Sequence, residues 1–318
     1  MGKGSLDIRN IINDVGFGIF FEVLLNQETY EYKDLQLLLA LSERFWDTTC
    51  TFHFLGSGEV ILTPYDFFVI IGLKLNGERI HVNDSLTANE IKKLLGVVPS
   101  KMMSKNVPLL WLCENITKCD TVARVTCMFM LLFIETFLCP DLGSIMNLRY
   151  LWSLRNIEQI KNYDWGGMAY ATLLHFMTQL SRCSLSSLGD APFVWQVRFE
   201  ILVMCEFWKV ILAMYGNGVV KFFQVWMYEY FGVGPKIQEE VNDIFPRFLR
   251  WLPKHRLSTP SRRSLEIWRL VIDNLTTDDV SPFPFFWWDL WCLVVVWSFS
   301  HSGFIGDFLD VFKSLGWM

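Results

Sequence analysis

The groups through which this 318-residue chain could do chemistry are its 33 carboxylates, five histidines and eight cysteines, and their spacing forms none of the usual constellations. His53, His81, His175, His255 and His301 contain no HxH or HExxH pair, so a metal centre would have to draw its ligands from distant parts of the chain. Cys50, Cys113, Cys119, Cys127, Cys139, Cys183, Cys205 and Cys292 stand singly, many in apolar surroundings, with no CxxC pair. That distribution suits reduced thiols in cytosol or nucleus and argues against a disulfide scaffold or a zinc site. Neither a GxSxG nucleophile elbow nor a GxxxxGK[ST] phosphate loop is present. The expectation is a non-enzyme with no catalytic residue, metal or cofactor. His53 has two readings: a side chain presented to a partner, or the outward polar position between Phe52 and Phe54 that closes a local hydrogen bond, and the second is favoured. Trp165 followed by Gly166 and Gly167 is likewise read as a close helix contact ahead of a ligand pocket.

One stretch concentrates charge. Residues 244–265 hold Arg247, Arg250, Lys254, Arg256, Arg262 and Arg263 and no acid; the chain carries −5 overall and this stretch +6, so the remainder carries −11. Six cations interleaved with Phe248, Trp251 and proline turns are a candidate nucleic-acid contact, neutralising phosphates and offering an aromatic for stacking. The competing reading, which the acidic remainder favours, is that Arg247 and Arg250 form ion pairs within the molecule.

The elements that must position these residues are mostly helical. Apolar residues make up 52% of the chain and charged ones 19%, with 14 Trp and 27 Phe, which excludes disorder for most of its length. Residues 33–46 carry Leu35, Leu38, Leu39, Phe45 and Trp46 at helical spacing and predict a core-facing helix. TFHFLGSGEVIL, residues 51–62, alternates about Gly56 and Gly58 and predicts one β-hairpin with Phe52, Phe54, Val60 and Leu62 inward. Thr63, Pro64, Asp66 and Gly72 spell a capped helix, as do Thr87, Glu90 and Gly96. Longer helices are expected at about 120–138, 145–162, 167–182, 193–214 and 219–231. The fold class is therefore mainly α, a single helical domain with one small β-hairpin near residues 51–62. The apolar run 122–138 includes Arg124 and Glu135 and is shorter than a bilayer span requires; the run 283–299 has Asp289 near its middle. A membrane is not expected as a partner, and the N-terminus shows no secretory h-region.

Four segments, in order, resemble the plant mobile domain. The first runs from the helix at Leu35 through Arg44, Trp46, Thr51, Phe52, His53, Gly58, Glu59, Thr63, Asp66, Gly72, Leu73 and Gly77. The second is Tyr163, Trp165 and Gly166; the third Gln224, Trp226, Tyr228 and Glu229; the fourth Pro246 to Trp251. Two features depart from the family pattern: the apolar segment at about 190–215, which reads as an insertion between Trp165 and Trp226, and the close of the chain. The domain is thus expected over 33–285, with an N-terminal lead at 1–32 and an atypical apolar tail at 286–318.

The resemblance implies a nuclear, or else cytoplasmic, interaction module of the maintenance-of-meristems type, tied to meristem upkeep, genome stability and silencing of transposons and genes. Its expected partners are proteins, a serine/threonine phosphatase-like protein among them; an origin in a transposable element with a nucleic-acid-binding role is the first alternative and an uncharacterised enzyme the second. The family is sometimes labelled aminotransferase-like. The α/β scaffold and phosphate-cradling loop that a pyridoxal enzyme needs are not legible here. Nor does the chain carry the phosphatase metal signatures, since Gly189-Asp190 and Gly306-Asp307 lack the following His.

Overall fold

A computed structural model describes residues 10–19, 34–99, 106–116, 118–139, 145–182, 218–258 and 263–279. Helix α1 (Leu35–Ser42) begins at Asp34, whose carboxylate accepts the Leu37 amide at 3.1 Å. It is shorter than the pattern predicts. After Ser42 the chain turns, and Phe45 and Trp46 leave the helix to form strand β1 (Phe45–Trp46). The face that α1 buries is Leu37, Leu38, Ala40 and Leu41, while Leu35 is exposed. The predicted stripe counted Phe45 and Trp46 as helical and so was phased on the wrong residues.

Strands β2 (Thr51–Phe54) and β3 (Gly58–Ile61) form the predicted hairpin, and β1 adds to it, giving an antiparallel sheet of order β1-β2-β3. Phe52 faces Val60 and His53 faces Glu59, and Phe52, Phe54, Val60 and Leu62 are all buried, as the alternation requires. Gly58, at φ +80°, takes the left-handed turn conformation that L side chains resist.

Two short helices follow with the expected caps. In α2 (Pro64–Ile71) the Asp66 amide donates to Thr63 Oγ1 at 3.0 Å, the Thr63 amide donates back to Asp66 Oδ2 at 2.8 Å, and Gly72 closes the helix at φ +83°. In α3 (Ala88–Leu95) Thr87, Glu90 and Gly96 repeat that arrangement. Each capping residue contributes about 1 kcal/mol.

Beyond these, β4 (Asn106–Pro108) leads into α4 (Leu109–Ile116), and α5 (Val122–Phe133) runs on as a π-helical turn, Ile134–Leu138. Every residue from Thr126 to Phe133 is buried. An apolar run hydrophobic on all sides is thus the central core helix. Among the described residues no helix is long and apolar enough to cross a membrane; the run 283–299 lies outside them.

The stretch expected as a helix at 145–162 is otherwise built. Ile145–Asn147 is strand β5, paired with β4 in a second small sheet, and two 3-10 turns follow at Leu148–Trp152 and Ile157–Asn162. Asn147 and Asn156 explain the breaks: each side chain accepts the amide two residues on, at 2.9 and 3.1 Å, and starts a new turn. Helices α6 (Trp165–Ser181) and α7 (Gly218–Phe231) match their predicted positions, and α8 (Leu265–Asp273) closes the described fold. The helix expected at 193–214, the insertion at 190–215 and the tail at 286–318 lie outside the described residues.

The core is continuous from Ile12 to Leu275. Its densest part is aromatic: the Phe52 ring lies 5.0 Å from Trp226 and 5.8 Å from Phe223, and Trp226 meets Phe231 edge-on at 5.3 Å. Rings this fully buried contribute about 2–3 kcal/mol each.

Candidate functional site

The family-type residues divide into those that hold the fold and those that reach its surface. Glu229 is the single acid of helix α7, and its side chain is 2% exposed. Arg247 Nη1 lies 3.1 Å and Arg250 Nη1 2.8 Å from its Oε2, while Trp251 Nε1 donates to Oε1 at 2.6 Å. Three groups of the PRFLRW segment thus converge on one carboxylate. A buried carboxylate needs such compensation, since its desolvation alone costs several kcal/mol. Tyr228 packs on Trp251, the ring centroids 4.9 Å apart, and Gln224 donates to the Tyr228 hydroxyl at 2.6 Å.

A second buried carboxylate has the same duty. Asp34 accepts the Trp268 indole N–H at 2.8 Å while capping α1, so it ties α1 to α8. Arg44 adds to that clamp: its Nε donates to Asp273 at 2.8 Å and its Nη1 to the Ala40 carbonyl at 2.9 Å. The pairing of Asp34 with Trp268 and of Glu229 with Arg247 and Arg250 was not read from the sequence. A lone acid inside a mostly apolar helix was the available signal for Glu229; for Asp34 there was none beyond its capping residue type.

The other cations of the basic stretch are placed individually. Arg256 Nε donates to the Trp251 carbonyl at 2.8 Å, the Arg263 guanidinium lies 4.5 Å from the centre of the Trp268 ring, and Lys254 is exposed. Arg262 lies outside the described residues.

Trp165 is buried and donates its indole N–H to the Ile160 carbonyl at 2.7 Å. A Cβ on Gly166 would sit 2.2 Å from the Lys74 carbonyl oxygen, so α6 approaches the segment after α2 as only glycine allows. Gly77, with its φ of +141°, passes close to the Asn162 carbonyl on the same side. Gly72 packs on Pro246, where a Cβ would come within 3.0 Å. Burial raises the carboxyl pKa of Asp164, against the pull of the Gly167 amide that it accepts at 2.7 Å.

The hairpin's outer face has a different character. Trp46 stacks on His53 with centroids 3.9 Å apart and planes 19° apart. Thr51 Oγ1 donates to Glu59 Oε1 at 2.7 Å, receives the Thr49 hydroxyl at 2.6 Å, and lies 3.2 Å from His53 Nε2. His53 Nε2 is also 3.7 Å from Glu59 Oε1. The outward position and local hydrogen bond expected of His53 are both present, and the bond fixes the ring that carries Trp46.

The described cysteines are free thiols, and burial pushes Cys127 up to about 12 and Cys139 to about 11. Among the described residues no three His, Cys, Asp or Glu side chains come together as a metal site.

The arrangement is that of a helical domain in which the buried Asp34 and Glu229 serve its own architecture and whose small sheet turns an aromatic and a carboxylate to solvent. The sequence pattern of the plant mobile domain matches residues 18–288, and the chain belongs to that family. Of the two departures noted above, the match spans the whole of 190–215 and ends just inside the tail. No curated protein and no solved structure matches the chain beside it.

Proposed function

We propose that this plant mobile domain protein is a non-catalytic interaction module of the nucleus, of the maintenance-of-meristems type, acting in meristem upkeep, genome stability and the silencing of transposons and genes. It works through protein partners, a serine/threonine phosphatase-like protein among them. The observation that carries this reading is the use made of two buried carboxylates: Asp34 holds Trp268 and Glu229 holds Arg247, Arg250 and Trp251. Groups committed to such contacts stabilise a scaffold. An acid or base for catalysis would instead stand within hydrogen-bond reach of a substrate.

The test is affinity purification of the tagged chain from plant nuclei with quantitative mass spectrometry. Enrichment of a phosphatase-like protein or of chromatin factors over a tag-only control is the expected result. Recovery of neither, or a chain that stays outside the nucleus in a fluorescent fusion, would overturn the proposal.

A further inference from the structure

Trp46 is 55% exposed, whereas Trp165, Trp226, Trp251 and Trp268 are buried. Leaving an indole in water forgoes a burial gain of about 2–3 kcal/mol, and this one is held there in a fixed pose. One of its faces is taken by His53, 3.9 Å away, and His53 is fixed in turn by Thr51 at 3.2 Å. With that face taken, Trp46 still keeps more than half of its surface in solvent. On the other side of His53 stands Glu59, 53% exposed, with one carboxylate oxygen steadied by Thr51 at 2.7 Å. Asp47, next to Trp46 in the chain, is already neutralised by Arg182. Glu59 is the carboxylate that strands β1 to β3 themselves carry.

Trp46 on β1 and Glu59 on β3 flank His53, so the two groups address neighbouring side chains of one segment. An indole face attracts the cation of a lysine or arginine and lets its apolar stem lie along the ring, and the carboxylate pairs with a second such cation. A nucleic acid also stacks on tryptophan, but its phosphates would approach Glu59 on a chain of net charge −5. We propose that the outer face of the β1-β2-β3 sheet, built on Trp46, His53 and Glu59, is a docking site for a lysine- or arginine-bearing segment of a partner protein. The Thr49–Thr51–Glu59 hydrogen-bond chain and the His53 stack set both recognition groups before the partner arrives, which reduces the entropy lost on binding.

This inference rests on the reading of the chain as a protein-interaction module and names the chemistry of one of its contacts. Its test is fluorescence anisotropy of the purified chain with a labelled Lys-Ser repeat peptide, against a Glu-Ser repeat peptide and a labelled single-stranded oligonucleotide. The basic peptide is expected to bind in preference to both. Trp46→Ala should weaken it about tenfold without any change in net charge, and Trp46→Phe should retain most of the affinity. Glu59→Gln should weaken it several-fold, and Leu55→Ala, a change at an exposed hairpin residue, should leave it unaltered. Thermal melts of the variants separate lost binding from lost folding. Equal binding by Trp46→Ala and the wild type would mean that attraction to the acidic chain is non-specific, and that result overturns the site. So does a Trp46-dependent preference for the oligonucleotide. The two proposals fail differently: partners captured from nuclei equally well by wild type and Trp46→Ala remove only this site, whereas no capture by the wild type removes the module reading itself.

Discussion

Glu229 is the residue on which the largest single consequence rests. Two guanidinium groups and an indole N–H depend on it, and removing a partner from such a buried arrangement leaves charge uncompensated. Glu229→Gln should lower the unfolding free energy by about 3 kcal/mol, read by urea denaturation. Arg250→Met alone should cost less, because Arg247 still supplies a cation 3.1 Å away. The double variant should show strong non-additivity, since the two residues touch. The thiols give a second measurement at this scale. Burial holds Cys127 at about 12 and Cys139 at about 11, above the ordinary thiol value, so at neutral pH both stay protonated in the folded chain. Alkylation by iodoacetamide, mapped by peptide mass spectrometry, should therefore be slower at Cys127 than in the urea-unfolded chain by more than about tenfold. The rate should rise with pH towards that value. Rapid labelling of Cys127 in the native protein would contradict its placement.

At the scale of elements, what was legible in the sequence was what is encoded locally. The caps of α2 and α3 lie within ten residues of chain, and Thr63, Asp66, Gly72, Thr87, Glu90 and Gly96 all take the roles their types and spacing imply. The hairpin is equally local. β5 is decided by a distant contact and was not legible, because Ile145 to Asn147 pair with Asn106 to Pro108; β1 is local but was masked by the helical spacing that Phe45 and Trp46 share with α1, and they pair instead with Phe52 and Thr51. Helical spacing reads the same whether or not a strand elsewhere competes for those residues. The ion-pair hub shows the same division at the candidate site. Intramolecular pairing of Arg247 and Arg250 followed from charge balance, but the acid that receives them is on another helix. These origins predict unequal mutational costs. Thr63→Ala and Thr87→Ala should each remove about 1 kcal/mol, whereas Gly166→Ala forces a Cβ against the Lys74 carbonyl, and overpacking against backbone should cost about 2–3 kcal/mol. Thermal melts followed by circular dichroism would rank the three; Gly166→Ala as the mildest would contradict the close approach of α6.

At the scale of the whole molecule, the separation of charge bears on nucleic acid. The basic stretch carries +6 against −11 elsewhere, but Arg247 and Arg250 spend their charge on Glu229, so no more than Lys254, Arg256, Arg262 and Arg263 remain for phosphates. Arg256 is further tied to the Trp251 carbonyl and Arg263 to the Trp268 ring. Each phosphate neutralised on duplex DNA contributes about −0.9 to the slope of log K against log salt, so four contacts would give a slope no steeper than roughly −4. The net charge of −5 opposes the approach of any polyanion. The expected outcome is duplex binding too weak to measure near physiological salt, and a low-salt affinity that Arg256→Ala, Arg262→Ala and Arg263→Ala together abolish. A fluorescence anisotropy titration across salt concentrations decides it. A slope steeper than four contacts allow would mean that Arg247 and Arg250 leave Glu229 when DNA binds. That exchange has its own signature, because Glu229→Gln frees both arginines and would then strengthen binding, whereas with the two arginines held on Glu229 in both states the same substitution would alter stability and leave the slope unchanged.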